Sequence, residues 1–444
     1  MHTMIRSSLC VAALAAFAAP ALAGGANNVL HSSQNDMTNE FIVKFRDAAD
    51  AQATERHAGV QALLAARGLS LSEIKGKFLR LDRPLSNLDA QALAKELKAA
   101  NPAFADIEAN IRLSHQLTPN DPRWGDQWHY KEKTAGIKLA KAYNKSMGDD
   151  VVVAVLDTGY RPHADLVANI IPGYDFITNV GTANDGNGRD NDAQDPGDGC
   201  GGQSSWHGTH VAGTVAAVTN NGVGVAGVAP NAKIQPVRVL GCGGGTYADI
   251  QDAIEWASGG TVAGVPANPT PAKVINMSLG GSGACPSGMQ TAINNAVARG
   301  TVVVVAAGNS NANASNFTPA NCNNVVTVAS VNRNGSRAWY SNYGTVVEIA
   351  APGGDTTGNA ANGVLSTLNA GYSNPGADSY AYYQGTSMAA PHVAGVSALI
   401  LANRPTWTPA QVLTQLQSTA RNFPGTCNLC GSGIVNAAKA VPAP

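Results

Sequence analysis

Three short segments of this 444-residue chain carry side chains that could do chemistry together. They are Val153-Ala154-Val155-Leu156-Asp157-Thr158-Gly159, His207-Gly208-Thr209-His210, and Gly385-Thr386-Ser387-Met388-Ala389-Ala390-Pro391-His392. A serine hydroxyl is a poor nucleophile at neutral pH and needs a neighbouring base to take its proton as it attacks a carbonyl carbon. His207 is a candidate base. An imidazole in that role presents one nitrogen to the serine while the other donates to a fixed carboxylate, which selects the tautomer and stabilises the cation that forms. Asp157, at the end of an apolar strand-like run, can supply the carboxylate.

Each segment alone has a plainer reading. Asp-Thr-Gly after a strand is most often a turn, and an aspartic protease would need a partner motif, for which Asp355-Thr356-Thr357 lacks the glycine. His207 and His210 lack the glutamate of the zinc-binding His-Glu-x-x-His pattern. The serine segment is not the Gly-x-Ser-x-Gly elbow, because position 389 is alanine.

Taken together, in the order Asp, His, Ser, the three segments resemble the subtilisin family, the subtilases. The resemblance implies a secreted serine endopeptidase working through an acyl-enzyme, with Asp157, His207 and Ser387 as its triad. A fourth stretch, Thr301-Val302-Val303-Val304-Val305-Ala306-Ala307-Gly308-Asn309-Ser310, reads as a buried strand ending in a turn. On the resemblance, Asn309 is the side-chain donor of an oxyanion hole whose other donor is the backbone N–H of Ser387. Loss of one such side-chain donor costs about 2.7–4 kcal/mol of transition-state stabilisation, a figure that comes from subtilisin itself.

A peptide substrate needs close backbone approach and unpaired strand groups, which glycine-rich edges provide. Ser278-Leu279-Gly280-Gly281 resembles one side of the family's peptide cleft. Gly241-Cys242-Gly243-Gly244-Gly245 resembles the other, altered by a cysteine and a residue shorter than usual. The first specificity pocket is expected between Ser278, Leu279, Gly280 and Ala306, Ala307, Gly308, whose small side chains leave room for a bulky apolar group. Neither segment contains an acid that would demand a basic one. Two other readings stay open on the same scaffold: a catalytically silent peptide-binding protein, and a peptide ligase using the same acyl-enzyme.

The elements that must position these groups are legible as alternating apolar strands and helices. Runs at Val151–Leu156, Lys233–Leu240, Val274–Leu279, Thr301–Ala306 and Val325–Ala329 are rich in β-branched residues, as parallel strands buried on both faces are. Helical segments at Thr246–Ala257 and Met289–Ala298 lie between them. The expected fold is a doubly wound α/β domain with helices on both faces of a parallel sheet and its site at the strands' carboxyl ends.

Ahead of it, charge density changes. Residues 24–117 carry 11 Lys/Arg and 11 Asp/Glu, whereas 118–444 carry only 17 and 19 over more than three times the length. The N-terminal part shows the strand Phe41–Phe45, an amphipathic stretch near 58–68, the strand Phe78–Leu81 and a helical run at Leu88–Lys98, a small α/β unit. Before a subtilase body it resembles the inhibitory prodomain, so the enzyme's own propeptide is an expected partner besides protein and peptide substrates. Arg6, the apolar run Leu9–Ala18 and Ala21-Leu22-Ala23 read as a signal peptide cut after Ala23. The expected organisation is therefore signal peptide 1–23, propeptide 24–117 and peptidase 118–444, with no further C-terminal domain. No other run reaches the roughly 18 apolar residues of a membrane span, and no basic patch with interleaved aromatics points to nucleic acid. The mature form is expected to be a monomer.

Once Cys10 leaves with the signal peptide, six cysteines remain, and in an exported protein an even number points to disulfides. Fifteen pairings are possible in principle; sequence order favours Cys200–Cys242, Cys285–Cys322 and Cys427–Cys430. The alternative of zinc at Cys427-x-x-Cys430 lacks a second pair. Calcium suits the chain better, since hard oxygen donors are abundant. Thr219-Asn220-Asn221-Gly222-Val223-Gly224-Val225 resembles the family's calcium loop, where Asn221 and carbonyls of Thr219, Val223 and Val225 would join Asp165. A second site could use Asp190, Asp192 and Asp195 in the acidic stretch 184–198, whose plainer reading is a solvated loop.

Overall fold

The computed structural model describes residues 30–32, 37–47, 58–75, 77–111, 113–115 and 118–443. The expected signal peptide, residues 1–23, lies outside them. In the N-terminal part, strands β1 (Met37–Phe45), β2 (Leu71–Lys75), β3 (Phe78–Ser86) and β4 (Phe104–Ala109) form one antiparallel sheet in the order β2-β3-β1-β4. Helices α1 (Ala58–Ala66) and α2 (Asn87–Ala100) belong to the same unit, and Val60, Leu64, Leu93 and Leu97 share a core with Phe41, Leu79 and Ile107. The α/β reading of this part holds; β2 and β4 were not anticipated from the sequence.

The body is built on a seven-stranded sheet. Its strands are β5 (Val152–Asp157), β6 (Tyr174–Asp175), β7 (Lys233–Arg238), β8 (Val274–Met277), β9 (Val302–Ala306), β10 (Val326–Val331) and β11 (Ile349–Pro352). They lie in the order β11-β10-β9-β8-β5-β7-β6, every pair parallel. The five strands expected from β-branched runs are all present. The two outermost ones, β6 and β11, were missed because two and four residues are too short to show a pattern.

Alternation along the strands feeds two cores. Val153, Val155, Val302 and Val304 face the side carrying α3 (His207–Ala216) and α6 (Thr386–Asn403). Ala154, Leu156, Val303 and Val305 face α4 (Tyr247–Ala257) and α5 (Ser287–Ala298). Helix α6 is apolar on all sides and buried along nearly its whole length, as a helix enclosed by a core must be. The chain leaves β5 for β7 on one side and later crosses to β8 on the other, so the order reverses at β5. Crevices at such reversals, beyond the strands' carboxyl ends, are where open α/β sheets place ligands.

All three cysteine pairs favoured by sequence order are disulfides: Cys200–Cys242, Cys285–Cys322 and Cys427–Cys430. Among the described residues, no helix is long and apolar enough to cross a membrane.

Candidate active site

Asp157 ends β5 and is fully buried, while His207 opens α3 from the other side of a narrow gap. What lets the two meet is Gly208: a Cβ there would lie 2.0 Å from the carbonyl oxygen of Gly159. The helix start is pinned by its flanks. Trp206 donates its indole N–H to Gly371 O, Tyr383 its hydroxyl to Ser205 O, and Asp198 accepts from both the N–H and the hydroxyl of Ser205. As a result His207 Nδ1 lies 2.8 Å from Asp157 Oδ1. Burial works to lower the His207 pKa, but the charge and hydrogen bond of Asp157, with the charges of Asp198 and Asp195 behind it, outweigh that and raise it above its usual value.

His210, one turn further along α3, has a different situation. Its Nε2 faces the carbonyls of Val364 and Ala381 at 3.1 and 3.0 Å, its ring stacks on Tyr383, and burial pushes its pKa down to about 3. It is a neutral packing residue, not a member of the Asp157–His207 pair.

Ser387 sits in the first turn of α6, where backbone N–H groups have no intrahelical partner. Pro391 lies four residues on and has no N–H to give, so the Ser387 carbonyl loses its normal helical partner. The hydroxyl of Ser278 takes that place, donating to Ser387 O at 2.8 Å. This bond ties the end of β8 to the nucleophile turn. The Ser387 hydroxyl in turn donates to Ser278 O at 3.1 Å and not to His207.

Asn309 is held by the same helix start. Its Oδ1 accepts from both the N–H and the hydroxyl of Thr386, each at 2.9 Å, and Thr386 Oγ1 also accepts from Gly308 N at 3.1 Å. With the oxygen end of the amide fixed, its NH2 end is left to face the cleft. Sequence reasoning did not single out Thr386, although it is the residue immediately before the serine.

Asn309 and Ser387 line a cavity of about 440 Å³. Six residues expected for the first specificity pocket, Ser278, Leu279, Gly280, Ala306, Ala307 and Gly308, line it too. Phe317, Thr318 and Ala320 also line it and were missed, since nothing in their local sequence marks them. Among the described residues, no acid or base lines the cavity. Gly243, Gly244 and Gly245 do not line it; their segment forms a tight Gly241–Gly244 turn joined by the Cys200–Cys242 disulfide to the end of the acidic stretch.

The expected calcium residues fall into two groups. Asp165 is fully buried; its Oδ1 accepts from Asn221 Nδ2 at 2.7 Å and its Oδ2 from Val225 N at 2.8 Å. Val223 turns its N–H to Asn221 Oδ1, and Thr219 donates its hydroxyl to Ala217 O. Burial raises the Asp165 pKa to about 6, and the charge of Asp121, itself buried, adds to the rise. One oxygen of Asp121 has no hydrogen-bond partner. The loop contacts of both acids come from N–H groups, so the feature that fits a hard cation is the pair of buried carboxyls with one Asp121 oxygen left unsatisfied. Asp121 was not anticipated.

The second group does not gather. Asp190 and Asp192 border a surface cavity together with Asp185, whereas Asp195 turns away, buried, with Oδ1 on Gly197 N. Among the described residues no cluster of three or more His, Cys, Asp or Glu forms a metal cage.

Comparison with known proteins identifies the family. A profile of the subtilase family, Peptidase S8, matches residues 148–433. An extracellular protease of Xanthomonas campestris pv. campestris is 51% identical over 429 residues, covering 91% of this chain and 72% of that protein. Thermitase of Thermoactinomyces vulgaris is 37% identical over 326 residues, covering 73% of this chain and 99% of its own. A solved protease structure from Pseudoalteromonas arctica PAMC 21717 superposes with a TM-score of 0.72 at 63% identity, covering 73% of this chain and 99% of that one.

Proposed function

The chain belongs to the subtilase family of serine proteases, and we propose that it is a secreted endopeptidase cutting peptide bonds through an Asp157–His207–Ser387 triad. The observation that most supports this is the 2.8 Å contact of buried Asp157 with His207 Nδ1, which leaves Nε2 as the base. In this reading the Ser387 hydroxyl leaves Ser278 O and turns about the Cα–Cβ bond toward His207. His207 takes the proton as Ser387 Oγ attacks the carbonyl carbon, and Asp157 stabilises the imidazolium. The oxyanion is met by Asn309 Nδ2 and the Ser387 N–H, both fixed before the substrate arrives. His207 then protonates the leaving amine, and water repeats the sequence to release the acid.

The neutral cavity beside Ser387 favours bulky apolar residues at the position before the cleaved bond. Residues 24–117 act as inhibitor and folding aid and are removed by the enzyme itself near Thr118. Asp165 and Asn221, with Asp121, would hold a structural calcium ion, whose charge would offset two buried carboxylates without supplying a step of the reaction.

The test is Ser387→Ala, expressed in a host lacking other proteases. It is expected to yield an uncut precursor with no peptidase activity, while the unaltered protein matures and releases free acids from peptides in water. Amide products with an added amine, to the exclusion of hydrolysis, would replace the endopeptidase reading by the ligase one.

A further inference from the structure

The loop that presents Asn309 has no regular structure between β9 and the short turn at Ala314–Asn316. An oxyanion donor must nevertheless be held to within about half an ångström. Thr386 decides which end of the Asn309 amide faces the cleft, but it does not hold the loop beyond Asn309. Beyond Asn309 the Arg337 guanidinium holds Asn311 Oδ1, and backbone bonds join Asn311 N to Tyr340 O and Tyr343 N to Ala312 O, but one buried side chain binds the loop on both sides of Asn309. Asn342, fully buried, donates its backbone N–H to Gly308 O at 2.9 Å and its Nδ2 to Ala307 O at 2.9 Å. Its Oδ1 accepts from Ser310 N at 2.9 Å and from Ala312 N at 3.0 Å.

These four bonds fall on both sides of Asn309. An asparagine side chain offers two lone pairs and two N–H groups, so both lone pairs and one N–H are engaged by this loop. Gly308 shows how closely the parts fit: its φ is +101°, and a Cβ there would lie 2.4 Å from Asn342 Nδ2. Asn342 is itself anchored. Its carbonyl accepts from Ser341 Oγ at 2.9 Å, and Ser341 Oγ accepts from Ser330 N at 2.9 Å on β10. The oxyanion loop therefore hangs from β10 as well as from β9.

We propose that Asn342 is a positioning residue for peptide-bond cleavage, fixing residues 307–312 so that the Asn309 amide meets the developing oxyanion. The inference rests on the reading of Asn309 as that donor. It predicts that Asn342 acts through Asn309 and has little effect once Asn309 is gone.

A double-mutant cycle on mature enzyme decides. Asn342→Ala is expected to lower kcat about 10- to 100-fold with KM within about threefold, because a misplaced donor weakens an interaction made mainly in the transition state. In an Asn309→Ala background the same change is expected to alter kcat by less than about threefold. Where Asn342→Ala fails to fold, Asn342→Asp keeps both Oδ1 contacts, loses the donor to Ala307 O, and runs the same cycle. If Asn309→Ala lowers kcat but the Asn342 change lowers it by an equal factor in both backgrounds, or in neither, the positioning role is wrong. If Asn309→Ala alone leaves kcat unchanged, the donor reading itself fails, and the positioning role with it.

Discussion

Two irregular loops of the body are closed in opposite ways. The 307–312 loop is closed mainly by neutral groups: Asn342 binds it on both sides of Asn309, Thr386 holds the Asn309 amide, and a charge enters only through the Arg337 guanidinium on Asn311 Oδ1. The 219–225 loop is closed against acids. Asp165 accepts from Asn221 and Val225, Asp121 from Asn220, and both carboxyls are buried with raised pKa. A neutral network whose donors and acceptors are matched is complete without help, whereas buried carboxylates cost stability unless paired or bound to a cation. On the proposed function the chemistry belongs to the loop with the matched network, and any dependence on an ion would fall on the loop that carries the buried acids.

The largest expected effect separates chemistry from stability. Ser387→Ala should lower kcat by about 10⁶, a magnitude known from subtilisin itself, while its melting temperature keeps its response to calcium. A variant that loses both would break the division. Asn309→Ala should lower kcat by about 10²–10³. Its melting temperature is expected to shift on chelation by the same amount as that of the unaltered enzyme, since the 307–312 loop is bound by Asn342 and Thr386 and the 219–225 loop by Asp165 and Asp121.

Chelation is the complementary experiment. Calcium a hundredfold above its dissociation constant stabilises by about 2.7 kcal/mol, so removing it from the Ser387→Ala protein should lower the melting temperature. The initial rate of active enzyme, read at once at low temperature, should persist. Asp165→Asn should blunt the response to chelator. An unchanged melt on chelation would reject the ion, and an immediate loss of rate would place it in the catalytic loop.

The smallest effect concerns proton affinity. Asp157, Asp198 and Asp195 raise the His207 pKa against the effect of burial, and only the neutral imidazole can act as base. Activity should therefore be lost as pH falls through a midpoint above the usual histidine value of about 6.5. Asp195→Asn removes one of the more distant charges and should move that midpoint down by a few tenths of a unit. A profile flat from pH 4 to 9 would count against a histidine base.

Much of this was readable in the sequence because it depends on local pattern. Buried parallel strands announce themselves as β-branched runs, which is why β5, β7, β8, β9 and β10 were found while the two- and four-residue edges β6 and β11 were not. Asp157, His207, Asn309 and Ser387 each stand close to the end of such a run or at a helix start; the structure pairs Asp157 with His207 and sets Asn309 and Ser387 on one cavity. Residues that support them carry no local mark. Asn342 comes from a loop 33 positions past Asn309, Phe317 from the two-residue strand Phe317–Thr318, and Asp121 joins Asp165 from a segment 44 positions away. Asp195 shows the reverse error: proximity in sequence to Asp190 and Asp192 suggested a shared site, but its backbone turns it inward to Gly197 N.

The central claim, that Ser387 is the nucleophile activated by His207, is tested most directly by labelling mature enzyme with a fluorophosphonate and mapping the adduct by mass spectrometry. The account predicts one adduct, on Ser387, formed in step with loss of peptidase activity and slowed as pH falls through the His207 midpoint. Activity that survives full labelling of Ser387, or is lost with the adduct on another residue, would contradict it.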